Sequence, residues 1–443
     1  MATKVAPMVL CLFLFLSTAG ASSAPNSSSP VWTGTPDGSM RWGYAVPRPE
    51  LRGKAGGVRS TDRCRAGGSS VGRGNFLEIG PLYITMQPRP CTWLHVSDLI
   101  FVDAPVGVGF SYADEPSLLV KTDKQAVSDL LGVIQELIRR LPSLQSRPLY
   151  LVGESYGGKF AAMLGVVLER AIRDGTMKLT LGGVVIGDGW ISPADNALSY
   201  GDLLHTVLRL NDNAVSRVNK MGLTVEQQMA AGQFAAAQKT WTDQLDLIDS
   251  QSDGVNIFNF LLDIGMNPVL SSSLLMASQS ALSNNTDDII NRVFKPFLRI
   301  IPKKVLWEEA TLQVYEELKN DFMKPAVREV DELLALGVSV TVYNGQYDVI
   351  VPAIGTEAWV KKLEWNGLNH FLSLPRHPLH YCNSIPEHCS QQIRAYVRAY
   401  EKFTFYWILG AGHMVPVDQP YPALRMIANI TQSPGNIDDV TCY

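Results

Sequence analysis

The chain has 443 residues, of which 46% are hydrophobic, so it can build the core of one large domain or of two modest ones. Its 38 basic and 42 acidic residues leave a formal net charge of −4, which indicates neither a nucleic-acid-binding surface nor a basic face for membranes. We therefore expect a globular protein without a nucleic-acid partner.

Residues 1–24 have the pattern of a signal peptide. A basic residue precedes an apolar stretch over residues 5–16, and small residues follow. The apolar stretch is too short to span a bilayer comfortably, and we predict cleavage after Ala21 or Ala24. No later run is long and apolar enough for a membrane span. The sequence thus predicts a secreted or lysosomal domain over residues 25–443.

From residue 99 onward, short apolar runs alternate with stretches in which apolar residues recur at helical spacing. This alternation is typical of a parallel sheet with helices packed against it. The predicted strands are 99–103, 149–152 and 181–186, and the predicted helices are about 122–141 and 156–173.

A serine lies in a Gly-rich turn at one strand-to-helix junction. Residues 153–158 read Gly-Glu-Ser-Tyr-Gly-Gly, directly after an apolar strand and before a helix. In the G-x-S-x-G pattern, small neighbours permit a sharp, strained turn that holds the serine hydroxyl clear of the sheet. We predict that Ser155 is a nucleophile. The alternative is an ordinary Gly-rich turn.

Strand signals stop between about residues 195 and 320. Long stretches rich in Ala, Gln and Leu, such as residues 226–247, predict helices there. We predict a helical cap inserted between strands of the sheet, where it would overhang the site and shape specificity.

An acid and a base follow later strand-like runs. Asp348 comes after the β-branched run at residues 338–343, and His413 lies in a Gly-rich loop after residues 404–409. The chain order Ser155, Asp348, His413 is that of α/β-hydrolases. Taken alone, the Asp could be a turn former or helix cap, and the His an ordinary loop residue.

These three residue types together supply nucleophilic chemistry. A serine hydroxyl is a weak nucleophile until a base takes its proton, and the acid holds the imidazole in the required tautomer. An esterase or acyltransferase would use the same three residues.

Histidines and cysteines crowd the segment before the last strand. A zinc site is an alternative for them, but no C-x-x-C or H-x-x-x-H pair occurs and secreted proteins more often oxidise such cysteines. We predict no metal, no cofactor and a local disulfide between Cys382 and Cys389. Five cysteines remain once Cys11 leaves with the signal peptide, so at least one has no intramolecular partner. The cluster comprises His370, His377, His380, Cys382, His388 and Cys389.

Three N-x-S/T sequons begin at Asn26, Asn284 and Asn429. They predict N-glycosylation in a secreted protein, although such triplets also arise by chance.

The segments GESYGG (153–158), NGQYD (344–348) and AGHMVPVDQP (411–420) resemble the three signatures of serine carboxypeptidases. Further matches lie at 75–82, 101–112 and 187–193, and the resemblance covers about 67–430. It implies an α/β-hydrolase fold, with a mostly parallel central sheet, helices on both faces and a helical cap. It also implies an enzyme that releases single residues from the C-termini of peptides or proteins, best in mild acid.

The resemblance also implies roles for further residues. The backbone N–H of Tyr156 would be one oxyanion donor. Glu154 and Glu78 would share a proton, so that one of them could donate to the substrate's terminal carboxylate. Met414 would line the leaving-group pocket. The alternatives are an ordinary carboxylate at Glu78 and plain packing for Met414.

The chain departs from the family ahead of Glu78. Arg65 stands where the family has its second oxyanion glycine, and Arg63 stands where it has an Asn or Gln that helps to hold the substrate's carboxylate. Residues 47–66 are rich in Pro, Arg and Gly, where the family has a hairpin and a central strand. A missing central strand would leave buried backbone groups unpaired. We interpret this as a disrupted or missing N-terminal segment, which keeps open a catalytically impaired variant or a non-catalytic secreted binding protein.

Overall fold

A computed structural model describes residues 8–15, 32–34, 41–45, 70–264, 286–308, 311–380, 392–433, 437 and 440. Within them, eight strands form one sheet in the order β4-β1-β5-β6-β7-β10-β9-β8, and β2 and β3 form a separate hairpin. The strands are β1 Met8–Phe15, β2 Trp32–Gly34, β3 Arg41–Gly43, β4 Asp98–Asp103, β5 Pro148–Glu154, β6 Thr180–Gly187, β7 Val340–Gly345, β8 His377–His380, β9 Ile393–Tyr400 and β10 Phe403–Ile408.

The sheet is mostly parallel, as predicted. Neighbouring strands from β4 to β10 pair in parallel, whereas β9 pairs antiparallel with both β10 and β8. Because β5, β7 and β10 share one direction, the residues that follow them come out at the same edge of the sheet.

The helices of the described residues lie before, between and after these strands. They are α1 Asp123–Arg140, α2 Tyr156–Arg173, α3 Pro193–Thr206, α4 Asp212–Ala230, α5 Phe234–Ser252, α6 Thr286–Ile289, α7 Lys295–Leu298, α8 Leu312–Glu317, α9 Val327–Ala335, α10 Ala353–Val360, α11 Leu368–Ser373, α12 Val415–Asp418 and α13 Pro420–Thr431. Two wider, π-helical segments span Ser70–Ile79 and Ile290–Phe294.

Helices cover both faces of the sheet, which confirms the predicted architecture. Along β6, the side chains of Val184 and Ile186 pack into a core shared with α1 and α2, while Val185 between them packs into a second core that includes Leu424 and Ile427 of α13. This alternation follows from the two-residue period of a strand that is buried on both faces.

β1 fills the central position between β4 and β5. Met8 pairs with Asp98 on one side and with Leu149 on the other, both in parallel register. We expected residues 47–66 to lack the family's central strand; those residues lie outside the described part of the chain, so this stays a prediction. β1 itself comes from the apolar stretch predicted to be part of a signal peptide. Signal-peptide cleavage stays a prediction, and cleavage after Ala21 or Ala24 would remove β1.

Helices occupy the chain between β6 and β7. In the region of the predicted cap, α3, α4 and α5 form a consecutive helical layer, and α6, α7 and α8 follow. The predicted helix at 226–247 is two helices, because the chain turns at Gly232, whose φ is +72°. The 195–320 boundary of a cap unit stays a prediction. No helix among the described residues is long and apolar enough to cross a membrane.

Candidate active site

Ser155 lies on a strained turn between β5 and α2. Its φ is +56°, a region that non-glycine residues rarely occupy. A side chain at Gly153 would collide with the carbonyl of Gly157, so the tight turn requires glycine there. The Ser155 N–H donates to Gly187 O at 2.9 Å, and the Trp190 N–H donates to Ser155 O at 2.8 Å. The turn is therefore held to the end of β6.

Asp348 and His413 form a buried acid–base pair. The Nδ1 atom of His413 lies 2.7 Å from Oδ2 of Asp348, and the two residues are 5% and 0% exposed. The other carboxylate oxygen of Asp348 accepts a hydrogen bond from the Val351 N–H at 3.1 Å. The acid thus holds one imidazole nitrogen and leaves Nε2 as the atom that can act as a base.

Burial controls the protonation of this pair. The pKa of His413 is lowered to about 4, mainly by burial and in small part by Arg73, against the opposing charges of Asp188 and Glu78. Burial also raises the pKa of Asp348, against the N–H groups of Val351 and Ile350, which favour its charged form. The imidazole is therefore neutral, as a general base must be, down into mild acid.

Gly187 and Asp188 link the turn of Ser155 to the Asp348–His413 pair. Asp188 directly follows Gly187, whose carbonyl accepts the Ser155 N–H. It lies beside both Asp348 and His413: one side-chain oxygen or nitrogen of each of these three residues lies within 4.8 Å of the others. Among the residues that the structure describes, the Ser155 hydroxyl makes no hydrogen bond to His413. Such bonds often tighten only when substrate binds.

Asp188 is a buried carboxyl whose role our sequence analysis missed. Its Oδ1 accepts hydrogen bonds from Asn344 Nδ2 at 2.9 Å and from the Gly345 N–H at 2.7 Å. Burial and the nearby Asp348 raise its pKa well above the usual range. Asp188 therefore fixes the end of β7, from which Asp348 follows, and its own backbone is left-handed, with a φ of +43°.

Tyr156 begins α2, so its backbone N–H belongs to the first turn of a helix, where N–H groups have no intrahelical acceptor. A hydrogen bond also fixes the side chain of Tyr156. The hydroxyl donates to Asp123 Oδ1 at 2.6 Å, and Lys159 Nζ lies 2.7 Å from Asp123 Oδ2. Lys159 also donates to Asp321 O at 2.7 Å. This buried cluster anchors the helix start that carries the predicted oxyanion donor.

Glu78 and Glu154 are both buried, at 1% and 6% exposure. Glu78 lies on the π-helical segment Ser70–Ile79, and Glu154 ends β5. Burial raises the pKa of Glu154 well above its usual range, and the nearby Glu78 raises it further. A neutral Glu154 beside Glu78 is what a shared proton requires.

Met414 follows the base directly and is 6% exposed. Arg73, which our sequence analysis did not single out, places Nη1 2.7 Å from its Sδ atom. A lone Arg in a Gly-rich stretch carries no recognisable signal, so only the fold could reveal it.

A short segment after α5 holds the loops of both the acid and the base. The His413 N–H donates to Phe258 O at 2.7 Å, and the two rings are 5.4 Å apart. The Val349 and Ile350 N–H groups both donate to Ile257 O. The cap region thus contacts the catalytic edge directly.

Several sequence predictions fall outside the described residues: Arg63, Arg65, Asn26, Asn284, His388, Cys382 and Cys389. The predicted Cys382–Cys389 disulfide therefore stays a prediction. Asn429 is exposed on α13. His370 lies on α11, and His377 and His380 lie on β8, so the described histidines of this segment are divided between a helix and a strand. Cys91, which we assigned to no bond, is part of a disulfide.

Comparisons with known proteins agree with this geometry. A family model described as serine carboxypeptidase matches residues 66–433. Serine carboxypeptidase-like 51 of Arabidopsis thaliana is 41% identical over 435 residues, covering 90% of this chain and 93% of the relative. Retinoid-inducible serine carboxypeptidase of Rattus norvegicus is 38% identical, covering 96% of this chain and 97% of the relative.

A solved structure supports the fold. Kex1(delta)p, a prohormone-processing carboxypeptidase from Saccharomyces cerevisiae, superposes with a TM-score of 0.69 at 20% identity, covering 82% of this chain and 80% of that chain. The family match begins at residue 66 and spans the described sheet from β4 onward, together with Ser155, Asp348 and His413. The chain therefore belongs to the serine carboxypeptidase family of hydrolases.

Proposed function

We propose that this chain releases single residues from the C-termini of peptides or proteins through an acyl-enzyme formed on Ser155. The observation that carries the proposal is the buried 2.7 Å contact between His413 and Asp348 at the sheet edge where the strained Ser155 turn also lies. That arrangement gives a weak nucleophile both a base and a group that orients the base.

In the first step, Nε2 of His413 takes the proton of the Ser155 hydroxyl as Oγ bonds to the scissile carbonyl carbon. The imidazolium then gives that proton to the leaving amine as the C–N bond breaks. Water repeats the sequence on the acyl-enzyme: His413 takes a proton from water, the new C–O bond forms, and Ser155 regains its hydrogen. Asp348 stabilises the positive imidazolium in both halves.

The backbone N–H of Tyr156 supplies one oxyanion donor, and its position at the start of α2 adds the favourable field of a helix N-terminus. The second donor of the family is a glycine N–H, at the position that Arg65 occupies in this sequence. A backbone N–H exists at any residue except proline, so the cost of Arg65 depends on backbone geometry. Losing one such donor costs roughly 10²–10³ in rate.

The Glu78–Glu154 pair supports activity in acid. A neutral Glu154 can donate a hydrogen bond to the substrate's terminal carboxylate, whereas a doubly ionised pair would repel it. The raised pKa of Glu154 keeps that donor available in mild acid.

We also propose a secretory route, to a lysosome or to the outside of the cell. The apolar N-terminal stretch, the sequon at the exposed Asn429 and the disulfide at Cys91 support it, since disulfides persist in oxidising compartments. Identifying the first residue of the purified protein separates cleavage after Ala21 or Ala24 from retention of β1.

A second candidate is a non-catalytic binding protein of the same fold, which the Arg at position 65 favours. Labelling with a fluorophosphonate probe separates the two candidates, because the probe reacts with an activated serine. We expect labelling of the wild type, none of the Ser155→Ala variant, and release of the last residue from an N-blocked dipeptide. A folded wild type that is neither labelled nor active on peptides would refute the peptidase proposal.

A further inference from the structure

Asp188 is a buried carboxyl group to which the proposed reaction steps give no part. Its side chain is 0% exposed, and it lies beside Asp348 and His413, with one side-chain oxygen or nitrogen of each of the three within 4.8 Å of the others. A buried carboxylate is costly unless hydrogen bonds or a cation compensate its charge. The donors that reach each oxygen of Asp188 therefore indicate which protonation state fits the site.

The Oδ1 atom of Asp188 is an acceptor. It receives hydrogen bonds from the Gly345 N–H at 2.7 Å and from Asn344 Nδ2 at 2.9 Å. The same Nδ2 atom donates to the carbonyl oxygen of Val351 at 2.9 Å. Because a carbonyl oxygen can only accept, this bond fixes the orientation of the Asn344 amide, with its N–H groups towards Asp188. A proton on Asp188 therefore belongs on the other oxygen, Oδ2.

The two oxygens of Asp188 differ in their surroundings. In the described part of the chain, Oδ2 is buried and accepts no hydrogen bond. Asp348, by contrast, has a partner on each oxygen: the Val351 N–H at 3.1 Å and Nδ1 of His413 at 2.7 Å. The site thus stabilises the charged form of Asp348 and the neutral form of Asp188.

Two carboxyl groups in contact cannot both ionise cheaply, so the favoured state has one proton between them. Burial, and then the charge of Asp348, raises the pKa of Asp188. Burial raises the pKa of Asp348 as well, but the hydrogen-bond contact with Asp188 lowers it. Both directions place the proton on Asp188. The other ionisable groups whose charges act on this part of the site are Glu154, Glu78 and Arg73.

We infer that Asp188 holds a proton on Oδ2 in the working enzyme and donates a hydrogen bond to the carboxylate of Asp348. Asp188 is thus a positioning residue, which acts on the reaction through Asp348. The hydrogen bond spreads the charge of Asp348, so that this charge orients His413 without holding the imidazole in its protonated form. The inference rests on the proposed function and adds a residue to its catalytic site.

The test compares the wild type with Asp188→Asn and Asp188→Gly. An Asn has nearly the shape of a protonated Asp: its oxygen accepts the two bonds of Oδ1, and its amide nitrogen donates where the Oδ2 hydroxyl would. Asn and Gly both tolerate the φ of +43° at this position, so the backbone penalises neither variant.

The matched control is Asp98→Asn. Asp98 begins β4, at the end of the strand opposite to the site, and its carboxylate forms an ion pair with Arg147 at 2.5 Å. The substitution makes the same chemical change as Asp188→Asn, at a carboxylate whose charge is paired.

Infrared spectroscopy in mild acid measures the proton directly and needs no turnover. The C=O stretch of a protonated carboxyl group is separate from the bands of carboxylates, and it shifts in heavy water. We expect this band in the difference spectrum of the wild type minus Asp188→Asn. We expect the wild type minus Asp98→Asn to lack it.

The pH–rate profile tests the hydrogen bond to Asp348. Asp188→Asn should keep the kcat and the acidic limb of the wild type. Asp188→Gly removes the donor, so kcat should fall by roughly 10- to 100-fold with KM almost unchanged. Its acidic limb should move to higher pH, because a more localised charge on Asp348 favours the imidazolium of His413. Lost support for β7 alone would lower kcat without moving that limb.

The inference is overturned if the Asp188→Asn difference spectrum has no acid band. It is also overturned if Asp188→Asn moves the acidic limb to lower pH, as the loss of a negative charge beside His413 would. A folded Asp188→Gly variant with the acidic limb of the wild type contradicts it too; if that variant does not fold, the spectrum and Asp188→Asn decide.

Fluorophosphonate labelling of the wild type reports the proposed function separately. A labelled protein without the acid band contradicts only this inference. An unlabelled protein that shows the band contradicts only the proposed function.

Discussion

His413 is a buried imidazole surrounded by Asp348, Asp188, Glu78 and Arg73. Its pKa, lowered to about 4, means that the base becomes protonated only in stronger acid than a free histidine. We predict that kcat/KM for a dipeptide stays high in mild acid and falls as the pH drops through about 4. A pH–rate profile measures this fall, and an acidic limb centred near the ordinary histidine pKa would contradict it.

The lowered pKa of His413 also makes the free energy of unfolding depend on pH. Between the folded pKa of about 4 and the unfolded value near 6.5, the unfolded chain binds a proton that the folded chain excludes. The contribution of a neutral, buried His413 is therefore complete above about pH 6.5 and is lost as the pH falls towards 4.

Glu154 should control the alkaline limb of the pH–rate profile. We predict that Glu154→Gln keeps peptide cleavage at a higher pH than the wild type does, because an amide donates a hydrogen bond and cannot ionise. The measurement is kcat/KM against pH, with Glu169→Gln on α2 as the control, since Glu169 forms an ion pair with Arg173 away from the site. An unaltered alkaline limb would refute the shared-proton proposal.

The positions of site residues could be predicted from the sequence where a motif fixes the backbone. Ser155, Asp348 and His413 follow apolar strands, so strand pattern alone predicts that they meet at one edge. The places of Arg73 and Asp188 in the site could not be predicted, because both follow from contacts with residues far away in the chain, Met414 and Gly345 respectively.

At the scale of elements, β1 completes the sheet. Without it, the inner edges of β4 and β5 would face each other with unpaired backbone groups, at about 1–3 kcal/mol for each buried group. If the mature protein retains β1, which cleavage after Ala21 or Ala24 would prevent, we predict that deleting residues 1–24 lowers the midpoint of urea unfolding, because the deletion removes the partners of these groups.

Urea unfolding followed by circular dichroism measures this loss. Deleting residues 1–7 removes the same terminus but keeps β1, and serves as the control. A protein lacking residues 1–24 that unfolds at the same urea concentration and keeps its activity would show that the sheet does not need β1.

Elements with a strong local pattern were predicted closely. The apolar runs of β5 and β6 differ from the structure by one or two residues at their ends, and α2 agrees at both ends. β9 was not predicted, although apolar and polar residues alternate along Ile393–Tyr400. The apolar run of β1 was predicted to be part of a signal peptide, which stays a prediction; the structure places the same residues in the sheet, because an apolar run suits either role.

At the scale of the whole molecule, the cap region and the catalytic edge share hydrogen bonds. Asn259 donates to Asp418 Oδ2 at 3.1 Å, and the Gly412 N–H donates to the same oxygen at 2.7 Å. Asp418 thus ties the loop of the base to the segment after α5.

We predict that Asn259→Ala lowers kcat/KM by roughly tenfold, because losing a buried hydrogen bond worth about 1–2 kcal/mol loosens the loop that orients His413. Asn211→Ala is the control: it removes the N-cap of α4, a bond to the Ala214 N–H at 3.0 Å, elsewhere in the cap region. Kinetics with an N-blocked dipeptide compare the two. Equal activity of both variants would contradict a role for this tie.

The end of β6 touches both halves of the catalytic apparatus. The Gly187 carbonyl accepts from the Ser155 N–H, and the next residue, Asp188, accepts from the Gly345 N–H of the acid's strand. Gly187 and Asp188 therefore act as a spacer between the turn of Ser155 and the strand that leads to Asp348. Their geometry sets the distance over which a proton passes from the Ser155 hydroxyl to the His413 imidazole. Any distortion of that spacer, by heat, by a nearby substitution or by a bulky inhibitor, would slow proton transfer while every catalytic side chain stayed intact.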